Sequence, residues 1–335
     1  MSFHRNRYMS SGAIPQIDND RRGGIPGNDN YTKLLLHCDG IFEGGAFIDS
    51  SRVPHAVNVG GGTSALATYI DNTQSVFGGF SANMVGNTNR FLRIPDSVDW
   101  DLEADDFTID FRIRFAVKHT GSYVNYIMGQ YADSSNYWYM RTVIRAGCLY
   151  TVTLNNGGSG YSVGNTLTIT QAGASAGTLN VETVAGGVVT GIRITGVGTA
   201  YSVADALATT VSPAGGTLCT VNITAIAPYY AHCVTKEGGV TKGDWARGIL
   251  FNIDTWYHWA FVKNGSNVGL YIDGTLLVSN DTAAFEMPNV AKELLIGQLG
   301  YTAGSSIDGW MDEIRISKGI ARWTTDFTPP TMAYI

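Results

Sequence analysis

The chain is poor in charge. Of its 335 residues, 15% are Asp, Glu, Lys or Arg, against about 25% in ordinary soluble domains. The net charge of −6 leaves no broad basic face, which argues against nucleic acid as a partner. No apolar run reaches the roughly 18 residues of a membrane-spanning helix. The N-terminal MSFHRNRYMSSG has basic residues without an apolar stretch and does not read as a secretory signal. Cysteine is scarce: Cys38, Cys148, Cys219 and Cys233 form no CxxC pair and no Cys/His spacing of a zinc site. They read as small buried hydrophobes of a chain made in a reducing compartment, with a Cys148–Cys219 bridge as the alternative. Helical periodicity is weak everywhere; a turn or two near Ile320–Thr324 is the most the pattern allows.

Familiar catalytic patterns are missing too. The histidines His4, His37, His55, His119, His232 and His258 are joined by no Gly-x-Ser-x-Gly elbow and no Ser/His/Asp arrangement. His258 stands between aromatic residues in a strand pattern and reads as a core or half-buried residue. The clusters Gly60–Gly62 and Gly157–Gly160 lack the Lys-Ser/Thr of a phosphate loop and read as turns. The acidic cluster Asp99, Asp101, Glu103, Asp105 and Asp106 precedes a strong strand and reads as solvated turn carboxylates.

What is abundant is glycine, at 41 residues, with Thr, Val and Tyr between. That composition fits many short strands and tight turns. The clearest strand is FTIDFRIRF: Phe107, Ile109, Phe111, Ile113 and Phe115 share one face, and Thr108, Asp110, Arg112 and Arg114 the other. Such alternation predicts an antiparallel sheet with one wet face. Further strands are expected at Tyr31–Asp39, Trp256–Lys263, Val268–Ile272, Leu276–Val278, Leu294–Gly297 and Trp310–Ser317, with a hairpin turn at Asp273-Gly274.

Texture divides the chain. Residues 1–30 are polar and turn-rich and read as an extended arm, carrying Arg5, Arg7, Arg21, Arg22 and apolar Ile14, Ile17 and Ile25. One β-rich domain covers 31–145 and resumes at 229–335. Between them, 146–228 repeats itself: GSGYSVGNTLTIT begins at Gly158 and GTAYSVADALATT at Gly198, 40 residues later. Tyr161/Tyr201, Val163/Val203 and Leu167/Leu207 match. The pattern predicts a small all-β module of two halves, inserted in a surface loop of the host domain.

Aromatic residues flank the insertion and are the best candidates for binding. Tyr137, Trp138 and Tyr139 stand before it; Tyr229, Tyr230 and Trp245 follow it. Alternation puts Tyr137 and Tyr139 on one face and Trp138 on the other. Exposed rings can stack on sugars while polar neighbours take hydroxyls; the competing reading is that the rings pack the sheet or seat the insert.

Four segments carry a family resemblance: LLLHCDG (34–40) with FIDSS (47–51), FLRIPDSVDWDLEADDFTIDFRIRF (91–115), WYHWAFVKNGSNVGLYIDGTLLVS (256–279) and WMDEIRISKGIARWTTDFTPP (310–330). Their order resembles the concanavalin A-like, laminin-G-like jelly roll in the form found in bacteriophage tail and particle-surface proteins. The resemblance implies an all-β antiparallel jelly-roll β-sandwich bearing the inserted repeat module. It further implies a non-enzymatic virion structural protein, tail fibre or head decoration, that presents a lectin-like domain to host-surface glycan. The alternatives are a glycan-degrading tail enzyme on the same sandwich, or a secreted bacterial lectin or adhesin. Laminarinase-like members carry Glu-x-Asp-x-x-Glu on one strand, and no such run occurs here. The implied partners are other virion proteins, held through the arm, and copies of the same chain in a homo-oligomer. The implied location is the virion surface, after synthesis in the host cytoplasm. Domains of this fold also bind calcium near paired chain ends, which makes Asp39 and Asp312 candidates for a structural calcium, although six to eight oxygens are needed.

Overall fold

In a computed structural model, residues 27–60, 67–86, 90–119, 123–280, 285–299 and 306–335 are described, those of 278–280 by backbone alone. Two antiparallel sheets face each other, and no helix occurs among the described residues. The first sheet holds β1 (Thr32–Leu36), β3 (Tyr69–Asp71), β4 (Ser81–Asn83), β6 (Phe107–Phe115), β15 (Trp256–Asn264), β16 (Asn267–Ile272), β17 (Thr275–Asn280) and β19 (Gly309–Lys318). The second holds β2 (Asn58–Gly60), β5 (Phe91–Ile94), β7 (Val124–Asp133), β8 (Asn136–Ser159), β13 (Thr217–Glu237), β14 (Val240–Ile249) and β18 (Leu294–Ile296). Also in the second sheet are β9 (Thr166–Ile169), β10 (Ser175–Ala185), β11 (Val188–Thr199) and β12 (Ala204–Ser212).

The core lies between the sheets and follows the alternation of the strands. On β6, Phe107, Ile109, Phe111, Ile113 and Phe115 are all buried against Trp138, Trp245, Trp259 and Phe261. Burying each such side chain contributes about 1.5–3 kcal/mol. The β16–β17 hairpin turns at Asp273 and Gly274, both at positive φ (49° and 76°), as a two-residue type I′ turn requires. A Cβ on Gly274 would stand 1.7 Å from the Phe327 carbonyl oxygen, so glycine is needed there for space as well.

The opposite face of β6 is not wet. Thr108 and Asp110 are fully buried. Alternation reports two chemistries, not solvent, and here the chain ends cover the polar one. Thr108 Oγ1 donates to Ile320 O (3.1 Å) and accepts from Arg322 N (2.9 Å). Arg112 donates to Pro330 O. Asp110 receives Arg315 in a two-pronged pair, Nε–Oδ1 2.9 Å and Nη2–Oδ2 3.2 Å, and the Tyr334 hydroxyl as well. The Arg315 guanidinium lies 3.7 Å from the Tyr334 ring centroid. The expected turn of helix near Ile320–Thr324 is replaced by this extended strap. Residues 27–30, expected to belong to the arm, are pinned there too: Gly27 and Asn28 amides donate to Ile335 O, and Asp29 pairs with Arg322 at 2.9 Å. The remainder of the arm, with its four arginines, lies outside the described residues.

The repeat stretch does not sit on a loop tip. β8 and β13 run from the sandwich into it unbroken, paired from Lys236↔Tyr137 to Thr217↔Ser159. Where they leave the sandwich the register jumps, from Tyr229↔Ile144 to Ala227↔Cys148. Pro228, which has no N–H to give, and Gly147, at φ 68°, occupy that bulge. Beyond it, β9 to β12 join the ladder, and the chain after β11 returns to β8 through Ala200 N to Ala146 O (2.9 Å) and Tyr201 N to Gly147 O (3.1 Å). This part has its own core, built on Leu167, Leu179, Val181, Val221 and Ile223. The repeated tyrosines play matched parts in it. Tyr161 Oη accepts from Cys219 N (3.2 Å), and Tyr201 Oη accepts from Gly177 N (3.1 Å) and donates to Ile169 O (2.9 Å).

Replacing Arg315 by Met should leave the Asp110 carboxylate buried without its charge partner and cost about 3–5 kcal/mol. The double change Asp110→Leu with Arg315→Met should recover a large part of that loss. Urea denaturation of the three proteins measures both; equal losses in the single and double variants would contradict the pairing argument.

Candidate functional site

The outer face of the second sheet carries a band of rings and cations. Period two places Tyr137, Tyr139 and Arg141 together on β8. The cross-strand register then sets Lys236 beside Tyr137, Val234 beside Tyr139 and His232 beside Arg141. On the other side, β7 supplies Tyr131 opposite Tyr137 and Tyr126 opposite Arg141. Tyr131, Tyr137 and Tyr139 form one stack, with centroids 5.9 and 5.2 Å apart and planes tilted by 23° and 12°. Tyr126 meets Tyr139 edge-on at 5.1 Å. The Arg141 guanidinium lies over Tyr139 at 4.7 Å and over Tyr126 at 5.6 Å.

Electrostatics fix the orientation of this band. Burial lowers the His232 pKa; Asp244 pulls it the other way, and Arg141 and Arg145 lower it further. The imidazole is therefore neutral near pH 7. Its Nδ1 accepts from Arg141 Nε (3.1 Å), and its Nε2 donates to Asp244 Oδ1 (2.8 Å). Arg141 Nη1 donates to the Tyr126 hydroxyl (3.1 Å). Burial raises the Tyr139 and Tyr137 hydroxyls, so both stay protonated. Inside a stack the rings cover each other's faces, so Tyr137 turns its edge outward. Tyr131 ends the stack and is 41% exposed, which leaves it a free face. The band can donate from hydroxyls and a guanidinium, accept on Asp244, and stack one flat apolar group on Tyr131.

Of the six aromatic residues expected to bind sugar, only Tyr137 and Tyr139 lie in this band with open or partly open edges. Trp138 is 1% exposed, faces the core and donates from Nε1 to Gln130 Oε1 (2.8 Å). Trp245 and Tyr229 belong to the same core, against Phe261 and Phe251. Tyr230 faces outward but is buried at the root of the repeat stretch with Cys148, Val197 and Ala227. A surface ligand cannot stack on those four rings. Alternation already set Trp138 apart from its neighbours; it could not tell which phase faced the core. Arg141 and His232 carry no aromatic signal of their own, though the parity of Tyr137 and Tyr139 leads directly to Arg141.

Of the two residues expected to hold calcium, Asp39 keeps one buried oxygen without a partner among the described residues, whereas Asp312 has both oxygens engaged. Asp312 is fully buried and its oxygens are taken by amides: Oδ2 accepts from Val76 N (2.8 Å) and Phe77 N (3.3 Å), and Oδ1 from Glu313 N (2.9 Å). Neighbouring Glu313 is engaged by His37 Nδ1 (2.8 Å) and Tyr334 N (3.0 Å). Among the described residues, no three His, Cys, Asp or Glu side chains converge as metal ligands. Burial, reinforced by the Glu313 charge against the help of the three amides, pushes the Asp312 pKa up to about 7. Unfolded, this carboxyl loses its proton near pH 4. Its contribution to stability is thus complete below about pH 4 and disappears as pH rises through 7. Asp312→Asn should therefore flatten the fall in Tm between about pH 5 and pH 8. Parallel slopes in calorimetric scans of the two proteins would refute the assignment.

Residues 203–322 match the model of the Laminin_G_3 family, described as the concanavalin A-like lectin/glucanases superfamily. No curated protein sequence matches the chain. Among solved structures, the chain is similar to the receptor-binding domain of botulinum neurotoxin C/D mosaic serotype, at 10% identity and a TM-score of 0.46. That alignment covers 88% of this chain and 49% of the other, so the chain spans about half the length of such toxin domains. It is also similar to domain 4 of AbnA, an extracellular arabinanase from Geobacillus stearothermophilus, in complex with arabinotriose. There the identity is 13%, the coverage 87% and 95%, and the TM-score 0.40. The two packed antiparallel sheets and the matched segment place the fold among the all-β concanavalin A-like sandwiches.

Proposed function

We propose that this protein is a non-enzymatic, lectin-like component of a bacteriophage surface, which holds host glycan on the band formed by β7, β8, β13 and β14. The observation that carries the glycan reading is the Tyr131–Tyr137–Tyr139 stack with Arg141 and His232 set beside it. The rings stand on a sheet whose other face is the main core, so little side-chain entropy remains to be lost on binding. A sugar ring would lie on the free face of Tyr131, with its hydroxyls toward the Tyr137 edge and the polar row behind. Hydrolysis would need two carboxylates across the bound sugar. Among the described residues of the four strands the carboxylates are Asp133, Glu237 and Asp244; Asp133 is held by Ser135 and Asn136, Glu237 by Lys242 and Asp244 by His232.

The virion setting rests on the order of the four sequence segments. In that setting the arm fastens the chain to the particle, copies assemble as a homo-oligomer, and weak sites gain from repetition. Whether it stands on head or tail is a matter for antibody labelling of purified particles; particles that carry no label would reject the virion reading. Removal of residues 1–26 should abolish incorporation while leaving Tm unchanged, since Gly27 and Asn28 already pin this end of the sandwich to Ile335.

Tyr131→Ala and Tyr137→Ala should each weaken retention on host-surface polysaccharide by about tenfold or more, with little change in Tm. Trp138→Phe should do the reverse, lowering Tm with affinity preserved. Surface plasmon resonance on immobilised host polysaccharide separates the outcomes. Retention unaffected by both tyrosine changes would remove the band as the binding site.

A further inference from the structure

A second cleft lies on the other sheet, far in sequence from the band. Its volume is about 180 Å³, and it opens on the outer face of β15, β16 and β17 beside the C-terminal strap. Alternation along the hairpins gives it its walls: Asn264 and Val262 from β15, Asn267, Gly269 and Tyr271 from β16, and Leu276 from β17. Trp323 of the strap closes one side, held against Phe327 with centroids 4.1 Å apart and planes at 8°.

Three features point to a ligand. Tyr271 is 3% exposed, yet its hydroxyl bonds no protein group among the described residues. The ring is buried while the hydroxyl opens on the cleft, where water or a ligand can take it. Its pKa is raised by burial and then by Asp326, so the hydroxyl keeps its proton and can donate. Next, Asn264 and Asn267 stand opposite each other at the β15–β16 turn, and their side-chain amides bond no protein group among the described residues. That turn is fixed rather than loose, since Gly265 N donates to Asp106 Oδ1 (2.6 Å). Finally, the floor is glycine: a Cβ at Gly269 would come to 3.0 Å from Tyr271 Cε2 and 3.1 Å from Leu276 Cδ1. A side chain there would fill the space.

Among the described residues no charged side chain lines the cleft, and Asp326 stands near enough to act on the Tyr271 hydroxyl, which disfavours an anion. Two amides and a phenol, each able to donate, and two of them able to accept on a carbonyl oxygen, match adjacent hydroxyls on a small ring. Leu276, Val262 and the Trp323 edge offer the apolar wall such a ring's C–H face needs. The volume suits one ring rather than a chain. We propose that this cleft is a second saccharide site, which takes a single neutral sugar unit, independent of the band on the opposite sheet.

The test uses the full chain labelled with 15N and three probes: methyl β-D-galactopyranoside, methyl α-D-glucopyranoside and methyl N-acetyl-β-D-glucosaminide. Titration to about 50 mM reaches the weak range expected of one small ring. At least one probe should shift the Asn264 and Asn267 side-chain amide signals saturably. Tyr271→Phe, which removes one oxygen and keeps the ring packing, should weaken that binding about fivefold or more. Tyr137→Ala should leave it unchanged, so loss of the band and loss of the cleft are told apart. If no probe shifts the two amides, or if Tyr271→Phe binds as tightly as the parent, the proposal is overturned.

Discussion

The Asp110–Arg315 pair is the constraint on which the sandwich depends. Both groups are out of water, on the face of β6 that alternation would give to solvent. Burial alone would raise the Asp110 pKa; the Arg315 charge and His258 outweigh it and hold the carboxyl well below the usual range. Two buried charges are tolerable only when each is satisfied from several sides. Arg315 is satisfied by the carboxylate and by the Tyr334 ring; Asp110 by the guanidinium and the Tyr334 hydroxyl. Tyr334, the penultimate residue, supplies both contacts, which lays the C-terminus across β6. The strap then shields Thr108, anchors Asp29 through Arg322, and forms one wall of the cleft at Trp323.

The second sheet obeys a different constraint. Two long strands, β8 and β13, serve both the sandwich and the repeat stretch. Their ladder cannot slip without turning Tyr137, Tyr139 and Arg141 into the core and Trp138 out of it. The register that packs Trp138 beneath the sheet is thus the same register that presents the tyrosine stack above it. At the bulge the twist changes, and Tyr230 passes from band to root of the repeat stretch, where Arg145 covers its ring at 4.6 Å. The repeat stretch is therefore coupled to the band through shared backbone.

Much of the fold was legible. FTIDFRIRF marks the limits of β6 without error, and Asp273-Gly274 marks the β16–β17 hairpin, because both signals are local. The 40-residue repeat was legible as well, and its tyrosines fill equivalent places. What could not be read was which face is dry. Thr108 and Asp110 look like solvated residues until the strap, more than two hundred residues later, is laid over them. The same gap misled the reading of the site. Trp138, Tyr229 and Trp245 are as aromatic as Tyr137, and composition does not say which ring is turned inward. Asp312 reads as a free ligand in the sequence, yet the Val76 and Phe77 amides from far along the chain and the adjacent Glu313 amide engage it.

The two outer faces also differ in what they can recognise. On the second sheet, Arg141 is locked between two rings and a neutral imidazole, so its charge is presented in one direction only. A ligand there meets a fixed guanidinium and can be selected by where its own acceptors lie. On the first sheet the Asp110–Arg315 charges are paired beneath the strap, and the cleft beside it offers amides and a phenol. Such groups bind hydroxyls weakly and without regard to ionic strength. A protein with both faces would hold a glycan chain at one point through geometry and charge, and at another through neutral hydrogen bonds alone. Salt should then weaken the first contact and spare the second.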